Sequence, residues 1–159
     1  MLEERKGFTL TELMMVVFCL SILCAIAVPN WIVAGWPAHR LKNAARQVVS
    51  DIRYARMRAV STNRQYRLRF HPSTDSYFLE RGDQPSGSLC WSGEGAARRF
   101  GPNGGAAFTG IEIVGEEEFS VVFHPTGAVS PTSITLKNAP GRTMSVICSI
   151  AGRVRMIKT

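Results

Sequence analysis

Residues 8–28 read FTLTELMMVVFCLSILCAIAV, 21 residues carrying one charge, Glu12. A helix needs about 20 apolar residues to span a bilayer, so this run is long enough. Arg5 and Lys6 precede it, which by the positive-inside rule leaves the N-terminus cytoplasmic and places the chain beyond the run outside the cytoplasm. Trp31 and Trp36 come directly after, where indole rings suit a membrane interface. An ordinary secretory signal has a shorter apolar stretch, about 7–15 residues, with a small-x-small cleavage site. Cutting near Ala25-Ile26-Ala27 would leave Glu12 unexplained, and a plain membrane anchor leaves it unexplained too. A charge at that depth costs at least about 2.5–3.5 kcal/mol on insertion scales. Glu12 is therefore read as a functional residue whose partner lies elsewhere.

The rest of the chain is of another kind. The whole sequence has 159 residues and a formal charge of +7; after Trp36, 17 Lys and Arg face 9 Asp and Glu, so that part carries +8. The length suits one domain of about 100–150 residues with an appendage. No second apolar run approaches about 18 residues, which excludes a polytopic transporter, and the first run argues against a cytosolic enzyme.

The segment Lys6-Gly7-Phe8-Thr9-Leu10-Thr11-Glu12-Leu13 resembles the processing site of type IV pilins and type II secretion pseudopilins. The resemblance implies cleavage after Gly7 by a prepilin peptidase and methylation of the new amine on Phe8. It also implies that Glu12 pairs with the Phe8 amine of a neighbouring subunit in a filament. That pairing is physically reasonable, because a buried charge is tolerable when it has a partner. Thr11 departs from the aliphatic residue more usual there. Pro29 matches the family's helix-kinking proline, whose physical effect is to remove one helical hydrogen bond.

From Pro37 to Ser61 the pattern is helical, with Pro37 suited to a first turn. Leu41, Ala45, Val48, Ile52, Ala55 and Ala59 recur at intervals of three and four and mark one apolar face. Lys42, Arg46, Arg53 and Arg56 fall within roughly 80° of one another at about 100° per residue. This basic stripe reads either as a solvated face or as an anion-binding surface. Leu41 to Ala59, with Ala55-Arg56 and Ala59, resembles more narrowly the stem of the GspH/FimT group of minor pilins.

After Ser61 the period changes to two. Tyr66, Leu68 and Phe70 alternate with Arg67 and Arg69; Pro72–Asp75 reads as a turn and Ser76–Arg81 as the return strand. Residues 82–105 hold seven Gly and two Pro and predict a long irregular loop, with room for short strands. Further strands are expected at Ile111–Val114, Phe119–His124, Ser133–Lys137, Met144–Ile150 and Arg153–Ile157. Phe-His-Pro-Thr-Gly127 adds to the GspH/FimT resemblance. The expected fold class is α+β and pilin-like: a long N-terminal helix, half transmembrane and half amphipathic, packed on antiparallel sheet. The implied divisions are a leader over 1–7, a membrane segment over 8–36, the amphipathic half over 37–61 and a periplasmic β-rich domain over 62–159.

Little points to catalysis. Cys19 and Cys24 lie in the apolar run and behave as small hydrophobes. Cys90 and Cys148 fall in the external part, where a disulfide between them or two free thiols are both open readings. Their spacing has no metal signature, His39, His71 and His124 are scattered, and Glu116-Glu117-Glu118 reads as a solvated turn rather than a calcium loop. Neither a nucleophile elbow, a phosphate loop nor a paired set of catalytic carboxylates occurs, so no cofactor is expected and the chain is read as a non-enzyme.

Gly152-Arg153-Val154-Arg155, followed by Lys158, is the remaining motif. Two arginines at strand spacing are about 7 Å apart on one face and suit successive phosphates. The segment resembles the Gly-Arg-x-Arg motif of FimT-type minor pilins that bind DNA. Carried over, this makes Gly152, Arg153 and Arg155 candidate contacts to double-stranded DNA; Lys158 is added on charge and position. The leading expectation is a structural subunit of a type II secretion pseudopilus or type IV pilus tip. Its expected partners are other pilin or pseudopilin subunits, a prepilin peptidase and the inner membrane. DNA uptake is the alternative.

Overall fold

The computed structural model describes residues 9–105 and 108–158, with the side chains of residues 25–38 and of residue 103 excepted. Two compact units divide between Trp36 and Pro37. Helix α1, Leu10–Thr62, begins in the first unit and ends in the second. Thr9 opens it: the Glu12 N–H donates to the Thr9 hydroxyl at 3.3 Å and to its carbonyl at 3.1 Å. This satisfies a donor that the first turn leaves free, and Thr9-x-x-Glu12 is the sequence form of a capping box. Asn63, at φ +50°, closes the other end, with the Arg64 N–H returning to the Ala59 carbonyl at 3.3 Å. That is the left-handed cap in which an asparagine can stand for glycine.

Pro37 was expected in a first turn; it lies inside α1, as does Pro29. A proline forfeits one hydrogen bond of the ladder while the turns on either side keep theirs. Among the described residues, no helix is long and apolar enough to cross a membrane. The described side chains of the apolar run stop at Cys24, short of the 21-residue stretch seen in the sequence.

In the second unit the helix buries the face marked by its period. Leu41, Ala45, Val48, Ile52, Ala55 and Ala59 are all buried, joined by Ala44 and Val49. Four of these eight are alanines, which let the backbone approach closely and lose no rotamer freedom. The strands supply the rest of the core. β1 (Tyr66–His71) and β2 (Ser76–Gly82) form the expected hairpin, with Leu68 opposite Leu79 and Phe70 opposite Tyr77. The connection is a short 3-10 turn, Pro72–Thr74, that ends on Asp75 at φ +46°.

The remainder forms two antiparallel sheets. The first has the order β3-β2-β1-β6, with β4 also pairing β2. Here β3 is Trp91–Gly93, β4 is Arg98–Arg99 and β6 is Phe119–Phe123. The second has the order β5-β7-β8-β9, made of Ile111–Val114, Thr132–Asn138, Thr143–Cys148 and Val154–Lys158. Tyr66, Leu68, Phe70, Val121 and Phe123 of the first sheet and Ile134, Leu136 and Val146 of the second share one buried cluster with the helix. The architecture is therefore α+β, a helix on antiparallel sheets.

The glycine-rich stretch is more ordered than its composition indicates. β3 and β4 extend the first sheet, and Phe100 is fully buried beside Tyr77 and Phe108. Buried Gln65 holds the start of the stretch: its side-chain oxygen accepts from the Ser88 N–H at 2.8 Å and its amide meets His124 at 3.2 Å. Gly82 is required there, since a Cβ would lie 2.2 Å from the Ser88 hydroxyl oxygen. Arg67 stacks over the Trp91 ring at 4.2 Å.

Cys90 and Cys148 are not bridged. Cys90 is exposed just before β3 of the first sheet, whereas Cys148 is buried at the end of β8 in the second. Burial pushes the Cys148 thiol pKa up and keeps it protonated.

Candidate assembly and docking surfaces

Two surfaces carry the site residues expected from the sequence. The first is the start of α1. Glu12 stands exposed in the first turn, where the helix dipole favours a carboxylate. Around it Leu10, Leu13, Met14, Val17 and Phe18 are all exposed. Gly7 and Phe8, the cleavage and methylation candidates, lie outside the described residues.

The second surface is a groove of about 870 Å³ beside the packed half of α1. One wall is the helix, with Arg53, Met57 and Val60; the other is the turn at Gly127 and the stretch from Gly152 to Arg155. Arg56 ties these walls together. Its guanidinium donates to the carbonyls of Gly127 (2.9 Å), Gly152 (3.4 Å) and Ala151 (3.3 Å). Of the basic stripe, Lys42, Arg46 and Arg53 remain exposed, but Arg56 is half-buried and spent on these bonds. Both turns need glycine beneath it. Gly127 has φ +83° and Gly152 φ +74°, and a Cβ on Gly152 would sit 2.6 Å from the guanidinium carbon.

Gly152 is therefore engaged within the fold. Arg153, Arg155 and Lys158 are exposed. Arg153 does not lie in the last strand, as expected, but in the turn before it; β9 starts at Val154. The turn closes when the Gly152 N–H meets the Ser149 carbonyl at 2.8 Å and the Arg153 N–H meets the Ser149 hydroxyl at 3.2 Å. The Ser149 hydroxyl thus takes the Arg153 N–H in place of the Ser149 carbonyl.

Several other ionisable residues have structural partners. Glu118 stays in the expected solvated turn, exposed between β5 and β6, and from there pairs with Arg69 (2.6 Å) and His71 (2.5 Å). These two bonds hold its carboxyl below the usual carboxylate range, and the bond to Glu118 raises Arg69. Tyr77 donates to Asp51 at 2.6 Å, and burial followed by that bond pushes its phenol pKa upward. Arg58 pairs with Glu94 at 2.5 Å. Among the described residues, no cluster of His, Cys, Asp and Glu could hold a metal ion. Three features were missed by the sequence reading: the Thr9 cap, which its T-x-x-E spacing signals, the Arg56 anchor and the Gln65 hub. The last two have no local signature.

The arrangement of helix, twin sheets and Gly127–Arg56–Gly152 anchor agrees with a family match. The family model described as type II transport protein GspH matches residues 44–152, most of the second unit and up to the anchor's last glycine. This chain belongs to the GspH family. A second match, the prokaryotic N-terminal methylation motif, covers residues 4–28. No curated protein sequence matches. Two solved structures of the minor pseudopilin EpsH from the type II secretion system of Vibrio cholerae share the fold. One aligns at a TM-score of 0.56 and 13% identity, covering 75% of this chain and 97% of that one. The other also gives 0.56, at 11% identity, covering 74% and 93%. This GspH-family chain is a type IV pilin-like minor pseudopilin of type II secretion, and pseudopilins are structural subunits. DNA uptake draws no support from these matches.

Proposed function

We propose that this chain works as a structural, non-catalytic subunit of a type II secretion pseudopilus, anchored in the inner membrane before assembly. One observation carries the reading: an N-terminal methylation motif over 4–28 stands on the same chain as a GspH match over 44–152. In this reading a prepilin peptidase removes residues 1–7 after Gly7, and the Phe8 amine is methylated. The segment 8–36 crosses the membrane once with its N-terminus cytoplasmic; residues 37–61 join it to a periplasmic domain over 62–159. Glu12 then pairs with the Phe8 amine of a neighbouring subunit. Its exposure in a first turn surrounded by exposed apolar side chains supports this, because such a carboxylate is stabilised in an apolar filament core only by an opposite charge.

The test is complementation of a deletion strain with Glu12→Ala. Secretion of the system's substrates into the medium should fall, while the thermal melt of the purified protein stays unchanged. Secretion at the wild-type level would remove Glu12 from the assembly step.

A further inference from the structure

The second sheet has two edges, and they are finished differently. On β5 the Ile113 N–H donates to the Asp75 carboxylate at 2.8 Å, and Ile111 and Ile113 are buried. A side chain from the other sheet's hairpin closes that edge. On β9 nothing comparable occurs among the described residues. Arg155, Met156, Ile157 and Lys158 are all exposed. The Ser149 N–H meets the Arg153 carbonyl at 2.9 Å. Antiparallel alternation from that pair then turns the N–H and C=O of Val154 and Met156 towards the free side.

An unpaired strand edge is a template for another strand. This one adjoins the groove of about 870 Å³ whose far wall presents Met57 and Val60, each more than half exposed. Cations surround it: Arg153, Arg155 and Lys158 along the strand and Arg53 on α1. No carboxylate lies within ion-pair distance of these four among the described residues.

We propose that the open edge of β9 takes an acidic, extended segment of a second protein by strand addition. Backbone bonds to Val154 and Met156 would supply pairing, Met57 and Val60 an apolar floor, and the arginines selection for acid. A second copy of this chain fits poorly. Pairing β9 with β9 brings the cations of two strands together, with Arg155 opposite Arg155 when the pair centres there, which is destabilising, and β5 is closed by Asp75. Duplex DNA would use the arginines but leave the strand edge and the apolar floor without partners. That the segment belongs to a neighbouring pseudopilin rests on the proposed function; the binding itself does not.

The full-length protein in detergent micelles would be titrated, by fluorescence anisotropy, with a short labelled peptide of alternating Glu and Val. A Lys–Val counterpart, a Glu–Val peptide N-methylated on alternate amides, and a labelled DNA duplex complete the set. The Glu–Val peptide should bind. Arg153→Gln with Arg155→Gln should weaken it about tenfold. The N-methylated and Lys–Val peptides should bind at least as weakly as that variant's complex. Equal binding of the N-methylated peptide would overturn strand addition. DNA binding that depends on the two arginines, with no peptide binding, would overturn the choice of partner. Because the readout needs no filament, peptide binding with normal secretion by Glu12→Ala would separate this inference from the assembly reading.

Discussion

The two ends of helix α1 treat apolar side chains in opposite ways. Near its start, Leu10 is 75% exposed and Met15 70%, and no described residue from Leu10 to Cys24 is buried. In its second unit, Ala44, Ala45, Val48, Ala55 and Ala59 are 0% exposed. Both stretches are apolar, but the first is apolar all round and the second only along one stripe. A stripe can be covered by two sheets of the same chain. A helix that is apolar on every side needs a surrounding medium or several neighbours. In the proposed function that medium is lipid or a filament core, whereas the second stretch is covered by its own domain.

The contrast can be broken most sharply in the packed half. Ile52→Ala should cost about 2–5 kcal/mol, as for other large-to-small core changes, read as a lowered denaturation midpoint. Leu13→Ala, by the same measurement, should leave the domain's midpoint in place; an equal loss would mean the two stretches share one stability. Next in size comes the anchor. Arg56→Ala removes three hydrogen bonds to carbonyls and should cost about 1.5–3 kcal/mol. Gly152→Ala should cost about 1–2 kcal/mol from its positive φ alone, before the clash with Arg56. A neutral result for both would demote the anchor to an incidental contact.

The smaller effects are pH-dependent. The Tyr77 pKa is raised in the fold above its ordinary 10.0. Its contribution is therefore complete below pH 10 and is lost as pH rises beyond it. Tyr77→Phe should flatten that alkaline limb while costing about 1 kcal/mol at neutral pH. The least change is expected at Glu118. Its pKa is lowered by Arg69 and His71, so its stabilisation is present above the usual carboxylate range and fades as pH falls through it. The pair is exposed and screened, so Glu118→Gln should alter only the acid limb of a melting curve, and 1 M salt should erase the difference.

Much of the fold was legible because it rests on local periods. The buried residues of the packed helix recur every three or four positions, and β1 and β2 alternate around one strong turn signal. The strands of the second sheet fall within a residue or two of expectation at most ends. The 82–105 stretch was not legible. Its order comes from Phe100 filling the core and Gln65 bonding to Ser88 23 residues away, neither of which leaves a periodic trace. Whether Cys90 and Cys148 are bridged was not legible for the same reason: compartment chemistry says that a disulfide would survive, not that two thiols meet. The Gly-Arg-x-Arg motif reads as one unit in the sequence, but in the fold it divides into Gly152, used by Arg56, and Arg153 and Arg155, left exposed.

The sequence by itself determined the apolar run with its lone Glu12, the helical stripe, the strand alternation and the sign of the charge after Trp36. Each depends on residues a few positions apart, where geometry is set by the backbone period. Only the tertiary structure decided that there are two sheets, that Arg56 joins turns 71 and 96 residues away, and that one edge of the second sheet is closed while the other is open. Those outcomes depend on which distant groups meet, and a one-dimensional pattern carries no distance between them.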